Sequence, residues 1–291
     1  MSAPGPDGVT VGLIAGNQGL PLLAARRLKA QGRVLAVIGL AGETDPGVYG
    51  LADHFLEVGL GQIGAMGRFL VGHGVGPLCI VGGVSRRSVV DSYVPDEVAI
   101  GIMESLADFQ TDTILRAVAG YLESLGPKVV SVASLVPELL VREGQLGALA
   151  PAAGLMAELR LAFFLAKELG RLDCGQTVVV SDRIAVALEG ADGTDATIRR
   201  GAALCRKPVA VAKAVKPGQD LRLDLPVIGP ETISVLAGCG AAGLALDASG
   251  LIMIEPDRCL AMADEAGLAV VGFGAGAEVW LGEFRKGLPD A

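Results

Sequence analysis

The chain has few of the residues that run the commonest enzymatic chemistries. Its 291 residues include two histidines, His54 and His73. His73 precedes the helix-stopping Gly74, His54 follows Asp53, and neither pairs with a serine or cysteine in a triad motif, which argues against histidine-based acyl transfer. The five cysteines (Cys79, Cys174, Cys205, Cys239 and Cys259) are odd in number, form no CxxC pair and have no neighbouring histidine. That argues against a disulfide framework or a zinc site and leaves buried thiols in a reducing cytoplasm. Basic residues are outnumbered, 24 Lys and Arg against 32 Asp and Glu, for a formal charge of −8. Neutralising nucleic-acid phosphates needs a clustered basic face, so the expected partners are small molecules or proteins and not nucleic acid.

Long uncharged apolar runs are missing as well. None reaches the roughly 18 to 20 residues of a spanning helix, and Met1 to Asp7 shows no basic and apolar signal segment. The most apolar helical stretch, Leu155 to Leu169, is broken by Glu158, Arg160, Lys167 and Glu168. A cytoplasmic, soluble protein that at most touches lipid is the expectation. Aromatics are scarce, with one Trp, three Tyr and seven Phe, while 42 residues are glycine and 51% are hydrophobic. Small apolar residues around many tight turns suit an α/β sheet with phosphate-type loops.

The order of elements agrees. Val9 to Ala15 is a continuous apolar run ending in Gly16, the pattern of a buried parallel strand. Leu20-Pro21 opens a helix to Gln31, Val34 to Leu40 is a second strand, Gln62 to His73 a helix, and Leu78 to Val81 a third strand. Alternation of this kind predicts a Rossmann-like, doubly wound parallel sheet over residues 1–133, with ligands beyond the carboxyl ends of its strands. The pattern loosens near 134–151, which marks a junction. Residues 139–291 read as a second, mixed α/β domain, with one hairpin from Thr177 to Leu188 around Ser181-Asp182-Arg183. A second hairpin is expected from Val209–Val215 and Asp220–Leu225 around Lys216-Pro217-Gly218-Gln219.

Five segments carry candidate chemistry. Gly16-Asn17-Gln18-Gly19 joins a strand to a helix, where backbone N–H groups hold an anion; it lacks the G-x-G-x-x-G fingerprint, and Glu43 is a poor stand-in for the ribose acid. Gly82-Gly83-Val84-Ser85-Arg86-Arg87-Ser88 follows the third strand with two arginines and two hydroxyls, which suit phosphate. In Gln110-Thr111-Asp112-Thr113, Thr111 or Asp112 reads better as a helix cap than as a ligand residue. Asp192-Gly193-Thr194-Asp195, with Glu189 before it, places two carboxylates around a glycine turn, which suits a hard cation or a capped helix. The densest segment is Lys216-Pro217-Gly218-Gln219-Asp220-Leu221-Arg222-Leu223-Asp224-Leu225-Pro226 with Gly229-Pro230 after it. Its alternation puts Arg222 and Asp224 on one face of a strand, the pattern of a solvated sheet face, yet Asp224 also ends that strand just before a helix starts.

In order and spacing these pieces, from Gly12-Leu13-Ile14-Ala15-Gly16 to about Gly272, resemble the UDP-2,3-diacylglucosamine pyrophosphatases of the LpxI type, which act in lipid A biosynthesis. Lys216 through Pro230 carries most of the likeness, with Val84-Ser85-Arg86, Asp173 with Gly175-Gln176, and Gly193-Thr194-Asp195-Ala196 with Arg199-Arg200 adding to it. The resemblance implies a Rossmann-like N-terminal domain, a distinct C-terminal domain, and a lipid substrate between them. It implies Mg²⁺- (or Mn²⁺-) dependent hydrolysis of UDP-2,3-diacylglucosamine to UMP and 2,3-diacylglucosamine 1-phosphate, lipid X, with transient contact at the inner-membrane surface.

On that reading Asp224 matches the family's key acid and Asp195 or Asp192 helps hold the metal. Arg222 and Arg86 clamp phosphate, and Gly16, Asn17, Gln18 and Gly19 hold part of the nucleotide. Ser85, Asp112, Gln176, Thr194, Lys216 and Gln219 complete the substrate-binding set. Three positions depart from the family's usual pattern: Gln110-Thr111-Asp112 replaces Gly-Asp-Asp, Gly83 replaces Lys or Asn, and Asp192 replaces Glu. A non-catalytic sugar-nucleotide or lipid-binding paralogue on the same scaffold is the rival expectation.

Overall fold

Strands with no polar face need cover on both sides, and the N-terminal half of the chain is built from such strands. In the computed structural model, which describes residues 9–85, 93–274, 276, 277 and 280, the chain forms two compact units. One is Met1–Pro137 with Leu221–Asp224, the other Glu138–Asp220 with Leu225–Ala291. The first holds a five-stranded sheet in the order β3-β2-β1-β4-β5, formed by β1 (Thr10–Ala15), β2 (Leu35–Leu40), β3 (His54–Val58), β4 (Val75–Val81) and β5 (Lys128–Val129). Every pairing is parallel. All six residues of β2 are buried, because β2 has neighbours on both edges and helices over its faces. Helices α1 (Leu20–Ala30), α2 (Ile63–Gly72), α3 (Glu97–Ser105) and α4 (Thr111–Ser124) connect or cover the strands, and a short α5 (Val132–Leu135) follows β5. Pro21 starts α1 where its missing N–H costs nothing.

The apolar run at Leu78 to Val81 is therefore the end of the fourth strand. β3 was hidden in the sequence because it is an edge strand: His54, Phe55 and Glu57 are exposed, and it pairs only with β2. An edge strand does not need a continuous apolar run, so the buried-strand signal is absent.

The C-terminal unit has a six-stranded sheet in the order β6-β13-β11-β9-β7-β8. It consists of β6 (Gly144–Gln145), β7 (Thr177–Ser181), β8 (Ile184–Leu188), β9 (Ala210–Lys213), β11 (Gly243–Asp247) and β13 (Ala269–Phe273). β9, β11 and β13 run parallel, and β6 and β7 pair with them antiparallel. Strand alternation divides the core between the two faces. Val178, Val180, Ala210, Ala212 and Ala245 pack under α6 (Ala153–Arg171) with Phe163. Val179, Val211, Leu244 and Leu246 pack on the opposite side with residues of α7 (Thr194–Ala203), α8 (Pro230–Gly238) and α9 (Pro256–Glu265). β10 (Val227–Ile228) and β12 (Ile252–Met253) form a separate parallel pair.

The β7–β8 hairpin forms as expected, its turn made by Asp182 and Arg183, both at positive φ. The second expected hairpin does not form. β9 already has β11 on one edge and β7 on the other, so no edge remains for Asp220–Leu225 to pair with. Leu221–Leu223 is a turn and Asp224 to Pro226 is irregular, so Arg222 and Asp224 do not share a strand face. Leu221–Asp224 groups with the N-terminal unit, in contrast to the unbroken 139–291 domain read from the sequence. Its anchor is Leu223, 7% exposed, in the cluster that contains Ile14, Ile38 and Leu70. An apolar side chain of that size gains about 1.5–3 kcal/mol from burial, enough to fix where a short irregular segment lies.

Candidate functional site

In the all-parallel N-terminal sheet the loops after β1, β2 and β4 emerge at one edge, the position where ligands bind in such folds. Here those loops are tied to one another. Gly16 N–H donates to Val81 O and Asn17 N–H to Gly83 O, both at 2.8 Å. The approach is close enough that a Cβ on Gly16 would lie 2.2 Å from Gly83 O, and one on Gly82 2.4 Å from Asn17 O. Glu43, in the β2 loop, takes Asn17 Nδ2–H on Oε2, Ser85 N–H on Oε2 at 3.1 Å and Ser85 Oγ–H on Oε1 at 2.6 Å. One carboxylate thus joins the β1, β2 and β4 loops. Asn17 Nδ2 must face Glu43 because an ionised carboxylate only accepts; Asn17 Oδ1 is then buried with no partner among the described residues. Gln18 follows at φ 70°, a left-handed conformation uncommon outside glycine.

Beneath these loops lies a cavity of about 180 Å³ whose lining is almost wholly apolar. Gly16, Leu40 and Gly82 at the strand ends, Met66 of α2, Met103 of α3 and Leu115 of α4 are among its walls. Asp112, read as a cap or a substrate contact, lies in the first turn of α4 and pairs with Arg116 at 2.8 Å; the N-cap residue is Gln110, which makes no side-chain cap. Asp112 is half exposed and spent on an i,i+4 pair that favours the helix. Arg86 lies outside the described residues.

In the C-terminal unit the polar groups gather at the edge where β9 ends, β7 begins and β8 ends. Thr194 Oγ is their hub. It donates to Glu189 Oε1 at 3.0 Å, receives Lys213 Nζ at 3.1 Å and lies 3.2 Å from Thr177 Oγ1. Lys213, 8% exposed, also donates to Val227 O at 2.8 Å, and Glu189 Oε2 accepts Gln176 N–H at 2.9 Å. The Gln176 side-chain oxygen is buried without a partner among the described residues. Asn17 and Gln176, both taken from the sequence as substrate-binding, thus each carry a buried side-chain oxygen with no partner among the described residues. Glu189 and Lys213 were not picked as site residues. The available signal was a charge at the end of an otherwise apolar strand, which stays buried only when paired or hydrogen-bonded.

Asp195 sits in the first turn of α7, where the helix dipole favours a carboxylate, and accepts from Thr232 Oγ1 at 3.1 Å. It makes no ion pair among the described residues. Asp192 lies before the N-cap residue Gly193 and is held by Arg200 at 2.9 Å. That contact, with the Gly190 N–H, holds the Asp192 carboxyl below the usual range and occupies oxygens a metal would need. Lys216 and Gln219 form a closed turn: Lys216 N–H donates to Gln219 Oε1 at 3.1 Å, and Gly218 takes φ 79°. Lys216 Nζ pairs with Asp173 at 2.8 Å. In the N-terminal unit Arg222 lies 3.5 Å from Glu123. No group of three or more His, Cys, Asp and Glu side chains among the described residues is placed to ligate one metal ion.

Residues 10–139 match the LpxI N-terminal domain, and residues 142–271 match the LpxI C-terminal domain. The chain belongs to the LpxI family. A curated relative, UDP-2,3-diacylglucosamine pyrophosphatase LpxI of Caulobacter vibrioides, is 36% identical over 275 residues, covering 90% of this chain and 96% of its own. Both LpxI domains are thus represented, and the closed Lys216–Gln219 turn and the Thr194 hub lie in the second. No helix among the described residues is long and apolar enough to cross a membrane.

Proposed function

We propose that this LpxI-family chain hydrolyses the pyrophosphate bond of UDP-2,3-diacylglucosamine to UMP and 2,3-diacylglucosamine 1-phosphate, in lipid A synthesis. The observation that carries the reading is the 36% identity to a relative of that name across 90% of the chain. The apolar cavity at the carboxyl edge of the N-terminal sheet supports it, because a diacyl substrate needs apolar cover for its chains. On this reading the enzyme works in the cytoplasm and meets its lipid at the inner-membrane surface.

A pyrophosphate resists attack because its oxygens repel the nucleophile, so the catalyst must neutralise charge and orient water in line. Arg222, which lies 3.5 Å from Glu123, carries a guanidinium whose fork of N–H donors matches phosphate oxygens. Lys216, on its closed turn, and the backbone N–H groups of the Gly16–Gly19 loop add positive potential. Asp224 is the acid we assign to activation of the water. Mg²⁺ or Mn²⁺ belongs to the proposal: such ions are held by one or two carboxylates with water and substrate phosphate, and when bound supply charge neutralisation. In the C-terminal unit Asp195 suits that role better than Asp192, which Arg200 holds.

The test is release of UMP from UDP-2,3-diacylglucosamine by the purified chain, with and without EDTA. Turnover that EDTA abolishes and Mg²⁺ restores is expected. Tight binding of the lipid with no turnover under any metal condition would establish the binding-protein alternative instead.

A further inference from the structure

We propose that the C-terminal unit carries a second ligand pocket, at the carboxyl ends of β11 and β13, which takes a small hydroxylated phosphate such as a sugar phosphate through Lys167 and Arg142. This goes beyond the proposed hydrolysis and does not depend on it. The pocket has a volume of about 530 Å³ and is lined by Arg142, Glu143, Phe163, Lys167, Asp247 and Ser249, among others. That volume is within the range of small-molecule sites, and the ends of parallel strands are where such sites form.

Its base is a rigid ionic construction. Asp247, 2% exposed, closes β11. Its Oδ1 accepts Ser249 N–H at 2.9 Å and Ser249 Oγ–H at 2.6 Å, and its Oδ2 accepts Lys167 Nζ–H and Val215 N–H, both at 3.0 Å. Those four donors fill the lone-pair sites of a carboxylate. Asp247 therefore has nothing to offer a ligand and serves to hold Lys167. The ammonium has three N–H groups; one goes to Asp247 and one to Val215 O at 3.1 Å. The third remains, on a cation in the pocket wall.

Arg142 and Glu143 stand exposed at the rim, and their side chains make no hydrogen bond or ion pair among the described residues. Their backbone is nonetheless fixed. Val141 N–H donates to Leu251 O at 2.9 Å, Gly144 and Gln145 pair with β13, and a Cβ on Gly272 would meet Arg142 O at 1.9 Å. The two cations call for a compact, acceptor-rich anion, and a guanidinium fork matches phosphate. Glu143 repels a bare dianion and accepts hydrogen bonds, so the ligand must present a hydroxyl there. Phe163 offers an apolar surface for the carbon face of a sugar.

Isothermal titration of the full chain with glucose 6-phosphate, inorganic phosphate and glucose tests this. The sugar phosphate should bind tightest, and more weakly as salt screens the charges. Arg142→Ala should weaken it about tenfold, and Glu143→Gln should narrow the gap between the sugar phosphate and inorganic phosphate. Neither variant should move the thermal midpoint, since neither side chain holds the fold, and Asp224→Ala should bind as the wild type does. Glucose 6-phosphate binding no tighter than glucose, or unchanged in Arg142→Ala, overturns the site. Inorganic phosphate binding as tightly as the sugar phosphate overturns the hydroxyl requirement.

Discussion

Ser85 Oγ donates to Glu43 Oε1 at 2.6 Å, joining the loop after β4 to the loop after β2. The same carboxylate takes Asn17 Nδ2–H, so the edge of the N-terminal sheet is organised around one acid that holds three loops together. Glu43→Gln keeps the shape but offers one oxygen in place of two, which leaves a donor unsatisfied. Urea unfolding should show a loss of about 1–3 kcal/mol. Unchanged stability would mean that the loops are held without the carboxylate.

Leu223 and Asp224 are neighbours with opposite expected effects. Leu223 is buried in the N-terminal core and Asp224 is exposed. Leu223→Ala should cost about 2–5 kcal/mol of stability by opening a cavity. Asp224→Ala should leave the unfolding curve nearly in place and lower turnover at least about 10²-fold. Wild-type turnover in Asp224→Ala would remove this acid from the mechanism.

Lys167 and Asp247 form a pair at 3.0 Å whose side chains are 13% and 3% exposed. Breaking a buried pair by removing one partner leaves an uncompensated charge. Lys167→Met should therefore destabilise the protein by about 3–5 kcal/mol, read from denaturant unfolding. A loss of only a few tenths would show that the Ser249 and Val215 donors suffice for Asp247.

The rings of His54 and His73 stack with centroids 4.1 Å apart. Burial, with His54 beside it, pushes His73 below its ordinary 6.5. The folded state then binds this proton less readily than the unfolded state. The contribution to stability is fully present above about pH 6.5 and is lost as pH falls through the lowered folded value. Thermal midpoints should fall on acidification through that window, and His73→Phe should flatten the slope. An identical slope in the variant would assign the acid sensitivity elsewhere, for instance to Asp53. Burial pushes the Asp53 carboxyl up, but Lys29 and the Leu35 N–H pull it further down, so its contribution is lost at lower pH.

Much of the fold was legible because its strands are buried on both faces. Val9–Ala15 and Val34–Leu40 are nearly continuous apolar runs, the helix between them is followed by Gly32, and α2 is followed by Gly74, both glycines at positive φ. The β7–β8 hairpin was legible because two residues between apolar runs permit little else. β3 was not, since an edge strand tolerates polar residues. Among the candidate site residues, Asn17 and Ser85 were picked out by their position after apolar strands, whereas Gln176 and Thr194 entered through the order of family motifs. The buried-network roles of Glu43, Glu189, Lys213 and Asp247 were not legible, because an isolated charge in a sequence reads the same whether it faces water or closes a buried network.

The sequence by itself determined the parallel N-terminal sheet, the mixed second half and the family, since these rest on local periodicity and on the order of motifs along the chain. Only the tertiary structure decided what Asp220–Leu225 would be. Its alternation of polar and apolar residues is that of a strand, but β9 has both edges taken, and the burial of Leu223 in the N-terminal core outweighs any local strand preference. Pairing partners and burial sites lie far apart along the chain, so their availability is a property of the folded molecule and not of the segment.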